Sequence, residues 1–335
     1  MTIRARHLLL GLLALPVAAV VVAWLGVIGV GAASGHWALT DWFLHFAMRS
    51  SIRTAALGHG APDLPRDALR PAAGHYARGC AYCHGAPGAP RSPPVLGMLP
   101  TPPDLATRVH EWTDPELHRI VMHGVRFTGM PAWPAQGRDD EGWMMTAFLR
   151  ALPELSPADY AALVAAPAGT LPAACSGCHG PDGRDGGAFV PRLAGQSAAY
   201  LEASLAAYAR GARASGIMAE AAADLAPETR AELARALAGL APAAPSDQGS
   251  PTPEVASTGA PARGVPACLA CHGAPRRNPA FPRIDGQPAP YLAAQLRLFR
   301  AGARGGGPYA ALMTSAAAGL TDAEIDRLAR WFAGR

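Results

Sequence analysis

Six cysteines occur in the 335 residues, and all fall in pairs three positions apart: Cys80 and Cys83, Cys175 and Cys178, Cys268 and Cys271. A histidine follows each pair at once: His84, His179 and His272. No cysteine is left over for a structural disulfide or a solitary reactive thiol. Two thiols at this spacing reach one edge of a haem and form thioethers with its vinyl groups, and the adjacent imidazole then points at the iron. A zinc reading needs a second Cys or His pair for each site, and the chain has no further Cys. A redox dithiol explains neither the histidine nor its threefold recurrence. The motifs therefore predict three covalently bound haems c per chain, with His84, His179 and His272 as proximal iron ligands.

The sixth ligand decides between electron transfer and chemistry on small molecules, because a Met thioether closes the site and raises the reduction potential. Met130 lies 46 residues after His84, Met218 lies 39 after His179, and Met313 lies 41 after His272. This recurrence predicts Met130, Met218 and Met313 as axial ligands. Met98 is too near His84 in sequence to wrap to the opposite face, and Met122, Met144 and Met145 suit core packing. His118 and His123 rival Met130 in the first domain, and the spacing leaves that choice open. Nothing supplies a proton-transfer dyad, a nucleophile or a cradle for another cofactor, so no catalytic residue is assigned.

The elements that must position these residues repeat. After the second motif comes Pro191-Arg-Leu-Ala-Gly195-Gln196, then Tyr200, Leu201, Leu205, Gly211 and Arg213. After the third comes Pro282-Arg-Ile-Asp-Gly286-Gln287, then Tyr291, Leu292, Leu296, Gly302 and Arg304. Both copies run through their Met to an apolar-periodic closing helix, and Thr321 with Glu324 has capping-box spacing. The first copy is divergent, with a Pro-rich loop, a helical stretch over Asp114–His123, the segment Gly129-Met130-Pro131-Ala132-Trp133 and a closing helix over Asp139–Leu152. Asp139, Asp140 and Glu141 suit the positive end of that helix dipole. A short helix is expected near Ala158–Val164.

Ahead of the repeats, Arg4 and Arg6 precede an almost uninterrupted apolar run from Leu8 to Ala33. A spanning helix needs about 20 apolar residues and a cleaved signal about 7–15, so the run predicts an uncleaved transmembrane anchor, with cleavage near Ala32–Ala33 as the alternative. The positive-inside rule then puts the haem domains on the periplasmic side of the cytoplasmic membrane. Next to it, Thr40 or Asp41 is expected to cap a juxtamembrane helix with Leu39, Trp42, Phe43 and Phe46 on one face. The predicted division is a transmembrane signal anchor at 1–34, the juxtamembrane helix at 35–62, domains at 63–155 and 163–241, a Pro/Ser/Thr-rich flexible linker at 242–262, and a third domain at 263–335. All the basic residues are Arg, the net charge is +4 and no long basic run occurs, which argues against a nucleic-acid partner.

The motif set resembles class I cytochromes c, with Cys-x-x-Cys-His near the start, an axial Met later and a terminal helix packed across the first. Residues 170–335 resemble the dihaem cytochromes c, whose halves carry a Pro-x-Leu-x-Gly-Gln…Tyr-Leu pattern and pack pseudo-symmetrically with their haem edges close. Residues 63–155 resemble single-haem domains with a Gly-Met-Pro-Ala-Trp axial segment. The resemblance implies an all-α fold of three tandem cytochrome c-type domains after an N-terminal transmembrane helix. It implies an electron carrier in a respiratory chain, between a quinol-oxidising complex or dehydrogenase and a terminal oxidase or soluble cytochrome. The alternatives are the cytochrome subunit of a periplasmic dehydrogenase, or a haem peroxidase with one open iron.

Overall fold

A computed structural model describes residues 5–31, 34–62, 69–244, 250–275 and 278–335. The possible cleavage position at Ala32–Ala33 and the expected domain start at 63 lie outside the described residues. The structure is helical, and among the described residues strand pairing is limited to isolated bridges.

The first helix, α1 (Ala5–Trp24), is 20 residues long and contains Pro16. Residues Leu25 to Gly31 are not helical, and Gly26 turns the chain away at φ 67°. Only the Leu8–Trp24 part of the apolar run is therefore helical, about 25 Å at the helical rise, against about 30 Å of hydrocarbon in a bilayer. Among the described residues no helix is long and apolar enough to cross a membrane. The expected transmembrane anchor at 1–34 is thus overturned, and the single-pass inner-membrane placement with domains facing the periplasm falls with it. Gly26, Gly29 and Gly31 are the sequence reason, since glycine is a poor helix former and run length takes no account of it.

Helix α2 (Ala38–Ala56) begins after Trp37, so Thr40 and Asp41 lie inside it rather than capping it. The first helical unit follows. Helix α3 (Leu69–His75) runs through a π-helical turn at Tyr76–Cys80 into α4 (Ala81–His84), so the first motif ends a continuous helical segment. Two single turns, α5 (Pro93–Leu96) and α6 (Leu105–Arg108), lead to α7 (Asp114–His123), α8 (Asp139–Ala151) and α9 (Pro157–Val164). Thr113 and Glu116 form a capping box on α7, which starts where the sequence places it. Tyr76, Phe148, Met122 and Met145 make the centre of this core, and the Tyr76 hydroxyl donates to the Gly85 carbonyl at 2.6 Å. The carboxy-terminal half of α2 packs on α7 through buried Ile52, and Arg49 pairs with Glu111 at 2.6 Å and lies over the Trp112 ring. Its other half leaves Trp42 and Phe46 stacked on each other and exposed.

The second unit comprises α10 (Ala173–His179), α11 (Ala198–Ala209), α12 (Gly216–Ala223) and α13 (Pro227–Ala238). The third comprises α14 (Glu254–Ser257), α15 (Leu269–His272), α16 (Ala289–Arg300), α17 (Ala310–Ala318) and α18 (Asp322–Gly334). In both, a long helix (α11 or α16) packs against the Met-bearing helix and the closing helix. The segment 242–262, expected to be a linker, contains α14, and its Ala256 is fully buried against the third unit's core. The apolar pair Val255–Ala256 draws it in.

Units two and three meet in a reciprocal exchange between equivalent residues. Gln287 Oε1 accepts from Arg192 N–H at 2.9 Å, and Gln287 Nε2 donates to the Arg192 carbonyl at 2.8 Å. Gln196 Oε1 accepts from Arg283 N–H at 2.8 Å, and its Nε2 donates to the Arg283 carbonyl at 2.5 Å. Both glutamines are buried, so their amides have no water to fall back on.

Two predictions follow from these contacts. Gln196→Ala and Gln287→Ala each strand a backbone N–H and C=O, which should cost about 1–3 kcal/mol in denaturant unfolding. An unchanged midpoint in both would show that the exchange adds no stability. The second concerns Glu324, which takes two bonds from Arg263 and one from the Thr321 amide; Arg263 first, then Thr321, holds its carboxyl down at about 2. A depressed folded value means stabilisation that is present above the ordinary 4.5 and lost as pH falls through about 2. Acid titration followed by circular dichroism should show α18 loosening in that window in the native chain, and Glu324→Gln should flatten the response.

Candidate functional site

Each motif histidine is oriented in the same way. His84 Nδ1 lies 2.9 Å from the Pro103 carbonyl, His179 Nδ1 lies 2.9 Å from that of Pro191, and His272 Nδ1 lies 3.1 Å from that of Pro282. A carbonyl only accepts, so Nδ1 carries the proton in each ring and Nε2 keeps a free lone pair. Burial pushes the His84 and His179 imidazoles below their ordinary pKa and outweighs the proline carbonyl, which acts the other way. Neutral rings of fixed tautomer are what an iron ligand requires.

The cysteines stand beside them: Cys178 is buried, Cys80, Cys83, Cys175 and Cys268 are half-buried, and Cys271 is exposed. Burial first, then Glu220 and Cys83, pushes the Cys80 thiol up to about 12. Burial raises Cys175, Cys178 and Cys268 as well. Thiols shifted this way are poor nucleophiles at neutral pH, the opposite of a redox dithiol. Among the described residues no three His, Cys, Asp or Glu side chains converge as a metal cluster.

One cavity of about 410 Å³ runs between the second and third units. It brings together Cys175, Cys178, His179 and Met218 from one unit with Cys268, Cys271, His272 and Met313 from the other. Its walls are apolar, with Leu201, Leu205 and Leu237 facing Leu292, Leu296 and Phe332. His84 and Met130 belong to the first unit and do not line it. Met130 sits on the loop between α7 and α8, where Thr128 Oγ1 accepts its N–H at 3.1 Å. Met98 reaches the same loop, because a Cβ on Gly129 would stand 2.8 Å from its Cε. His118 stacks on Trp143 at 4.0 Å, and His123 accepts from Arg119 at 2.8 Å. Met122, Met144 and Met145 are core residues.

The polar lining of this cavity is what sequence reasoning missed. Arg213 is buried; its guanidinium donates to Tyr200 at 3.3 Å, Ser204 at 3.1 Å and Tyr291 at 3.3 Å. Arg304, equally buried, donates to Gln295 at 2.7 Å and Tyr200 at 3.4 Å. Among the described residues neither pairs with a carboxylate. Burial works against ionisation of Tyr200, yet the guanidinium groups of Arg213 and Arg304 outweigh it and hold the phenol below its ordinary value. Two buried cations without a counter-charge create a demand for an anion. The signal was present as the repeated Tyr and Arg positions, which marked the alignment without revealing a role.

These features fit a haem: an apolar slot, a neutral imidazole with Nε2 free, two thiols, and buried cations for its carboxylates. The family model for cytochrome c oxidase, cbb3-type, subunit III matches residues 67–149, and that for cytochrome c matches 170–238. The thiosulfate dehydrogenase electron acceptor of Thiomonas intermedia is 35% identical over 201 residues, covering 57% of this chain and 90% of the relative. That of Stutzerimonas stutzeri is 37% identical over 169 residues, 48% of this chain and 78% of the relative. The cytochrome c4 of Thiocapsa roseopersicina is 34% identical over 171 residues, 48% and 86%. A solved cytochrome c4 of Acidithiobacillus ferrooxidans aligns at a TM-score of 0.44 with 31% identity, covering 49% of this chain and all of the other. The matched cytochrome domains number two, which corrects the expectation of three tandem ones behind a transmembrane helix. The third unit enters its motif through a turn at Pro261–Arg263 and the Ala260–Val265 bridge, whereas the first two arrive on helices α3 and α10. Two matched domains, and relatives more than 30% identical over most of their own length, show that the chain belongs to the class I c-type cytochrome family and is an electron-transfer protein that holds haem c covalently.

Proposed function

We propose that the chain holds three haems c and relays electrons from a dehydrogenase to an oxidase or another cytochrome. The observation that carries this reading is the threefold repetition of one geometry, a Cys pair followed by an imidazole tied through Nδ1 to a proline carbonyl. The third motif has it as fully as the first two. In this reading the pairs at 80/83, 175/178 and 268/271 tether the cofactor, and His84, His179 and His272 ligate iron through Nε2. Met130, Met218 and Met313 would supply the sixth ligand; His118 and His123, the rivals of Met130, are both engaged by neighbouring side chains. Haem, when bound, supplies a one-electron iron couple. Arg213 and Arg304 would hold its carboxylates, with Tyr200 and Tyr291 completing that polar rim. The leucine walls exclude water and favour the less charged, reduced state.

The donor side rests on the names of two relatives, each a thiosulfate dehydrogenase electron acceptor, so a thiosulfate-oxidising dehydrogenase is the first donor to try. The acceptor side rests on the first domain's match to an oxidase subunit. An electron carrier is favoured over a peroxidase because each motif has its own candidate Met to close the iron.

Intact-protein mass spectrometry should find three haem equivalents on the native chain and two on a Cys268→Ser, Cys271→Ser variant. Two on the native chain would remove the third site from the proposal. Arg213→Gln should lower the haem content or shift the midpoint potentials of the two haems at the cavity and leave the first unit's unchanged. In a stopped-flow assay, thiosulfate with its dehydrogenase should reduce the protein within seconds; no reduction by that pair, with full reduction by dithionite, would exclude this donor.

A further inference from the structure

Helix α12 carries Met218, and it is held from outside its own unit. Glu141 of α8 is 2% exposed and turns its carboxylate onto the α12 N-terminus. Gly216 N–H donates to Oε2 at 2.7 Å, and the Ser215 hydroxyl donates to Oε1 at 2.5 Å. The same Ser215 oxygen accepts the Met218 N–H at 3.0 Å. Trp133 Nε1–H donates to Glu141 at 3.0 Å, and Arg138 pairs with it at 3.0 Å while also donating to the Ala214 carbonyl at 2.8 Å. A Cβ on Gly216 would stand 2.5 Å from Trp133 Nε1, so this contact requires glycine. Ile217 is part of the first unit's core, and Glu220 Oε2 lies 2.6 Å from His75 Nδ1. The first unit thus grips residues 214, 215, 216, 217 and 220, and Met218 stands among them with its side chain on the cavity.

A carboxylate that accepts the free amides of a helix N-terminus anchors that end by hydrogen bonding and by the dipole together. Here the carboxylate is buried, so water cannot substitute for a lost donor. A thioether is an uncharged, soft ligand, and its hold on a metal depends on how firmly its backbone is placed.

We propose that the first unit is a positioning device for the second haem site, with Glu141 acting through Ser215 and Gly216 to keep Met218 on the iron. This rests on the reading of Met218 as sixth ligand. It gives the first unit a role toward its neighbour in addition to carrying its own haem.

The test uses full-length holoprotein variants Met218→Ala, Glu141→Gln and Ser215→Ala. Each is followed by redox titration, by the long-wavelength methionine-to-iron charge-transfer band and by imidazole titration. Met218→Ala should abolish the band of one centre and lower its potential; an unchanged spectrum would overturn the ligand reading itself. With that result in hand, Glu141→Gln should tighten imidazole binding at the same centre about tenfold and lower its potential, leaving the other centres as they were. Ser215→Ala, which keeps the carboxylate, should move the same two readouts less and covers the case in which Glu141→Gln fails to fold. Native imidazole affinity and potential in the folded variants, alongside faster amide exchange over Gly216–Ala223, would reduce the contact to ordinary interface stability and sink the positioning role alone.

Discussion

Three imidazoles give their Nδ1 protons to proline carbonyls 10 to 19 residues further along the chain, and much of each unit serves to keep that bond in place. The bond fixes the tautomer, and the tautomer decides which ring nitrogen meets a metal. It holds only if the loop from motif to proline cannot slide and the ring stays out of water. Prolines stiffen those loops, and the long helices α11 and α16 wall off the other side. The burial that protects the bond also lowers the basicity of His84 and His179 and keeps them neutral.

The units are joined by two unlike seams. Between the second and third, equivalent residues trade equivalent bonds, Gln196 with Arg283 and Gln287 with Arg192, around a cavity that both halves line. Between the first and second, one buried carboxylate instead collects donors from both sides. The helices there approach closely: a Cβ on Gly74 of α3 would stand 3.0 Å from Cys178 Sγ. The middle unit is therefore fixed on two flanks, and its Met-bearing helix is held by the first unit while Met218 lines the cavity shared with the third.

Much of this was legible in the chain. The Cys-x-x-Cys-His spacing announced the family and its covalent haem, and the bounds of α7 and the Thr321 capping box followed from local rules that the fold leaves intact. The failures share a cause, which is that a local signal was asked a tertiary or geometric question. Hydropathy counted the run from Leu8 to Ala33 without seeing that glycines end its helix at Trp24. Glu141 stands in the first turn of its own helix, as the acidic run there suggests, but that its carboxylate also receives the amino end of α12, some 75 residues away, shows only in the fold. Arg213 and Arg304 stood out as repeated positions, but that they lie buried without counter-charges is visible only once the halves are packed together. Three motifs suggested three like domains, and the turn and bridge ahead of Cys268 show how far the third approach has diverged.

The exchange between the second and third units is self-complementary: the patch around Gln196 is answered by its own counterpart around Gln287. A surface of this kind does not distinguish the other half of its own chain from the same half of another molecule. What decides the matter is the covalent connection between α13 and α14, which holds the two patches at an effective concentration of roughly millimolar. At ordinary protein concentrations that is enough to keep the pairing within one chain. Severing the connection would turn a fixed internal seam into a concentration-dependent association, and the shared cavity would become a property of the assembly.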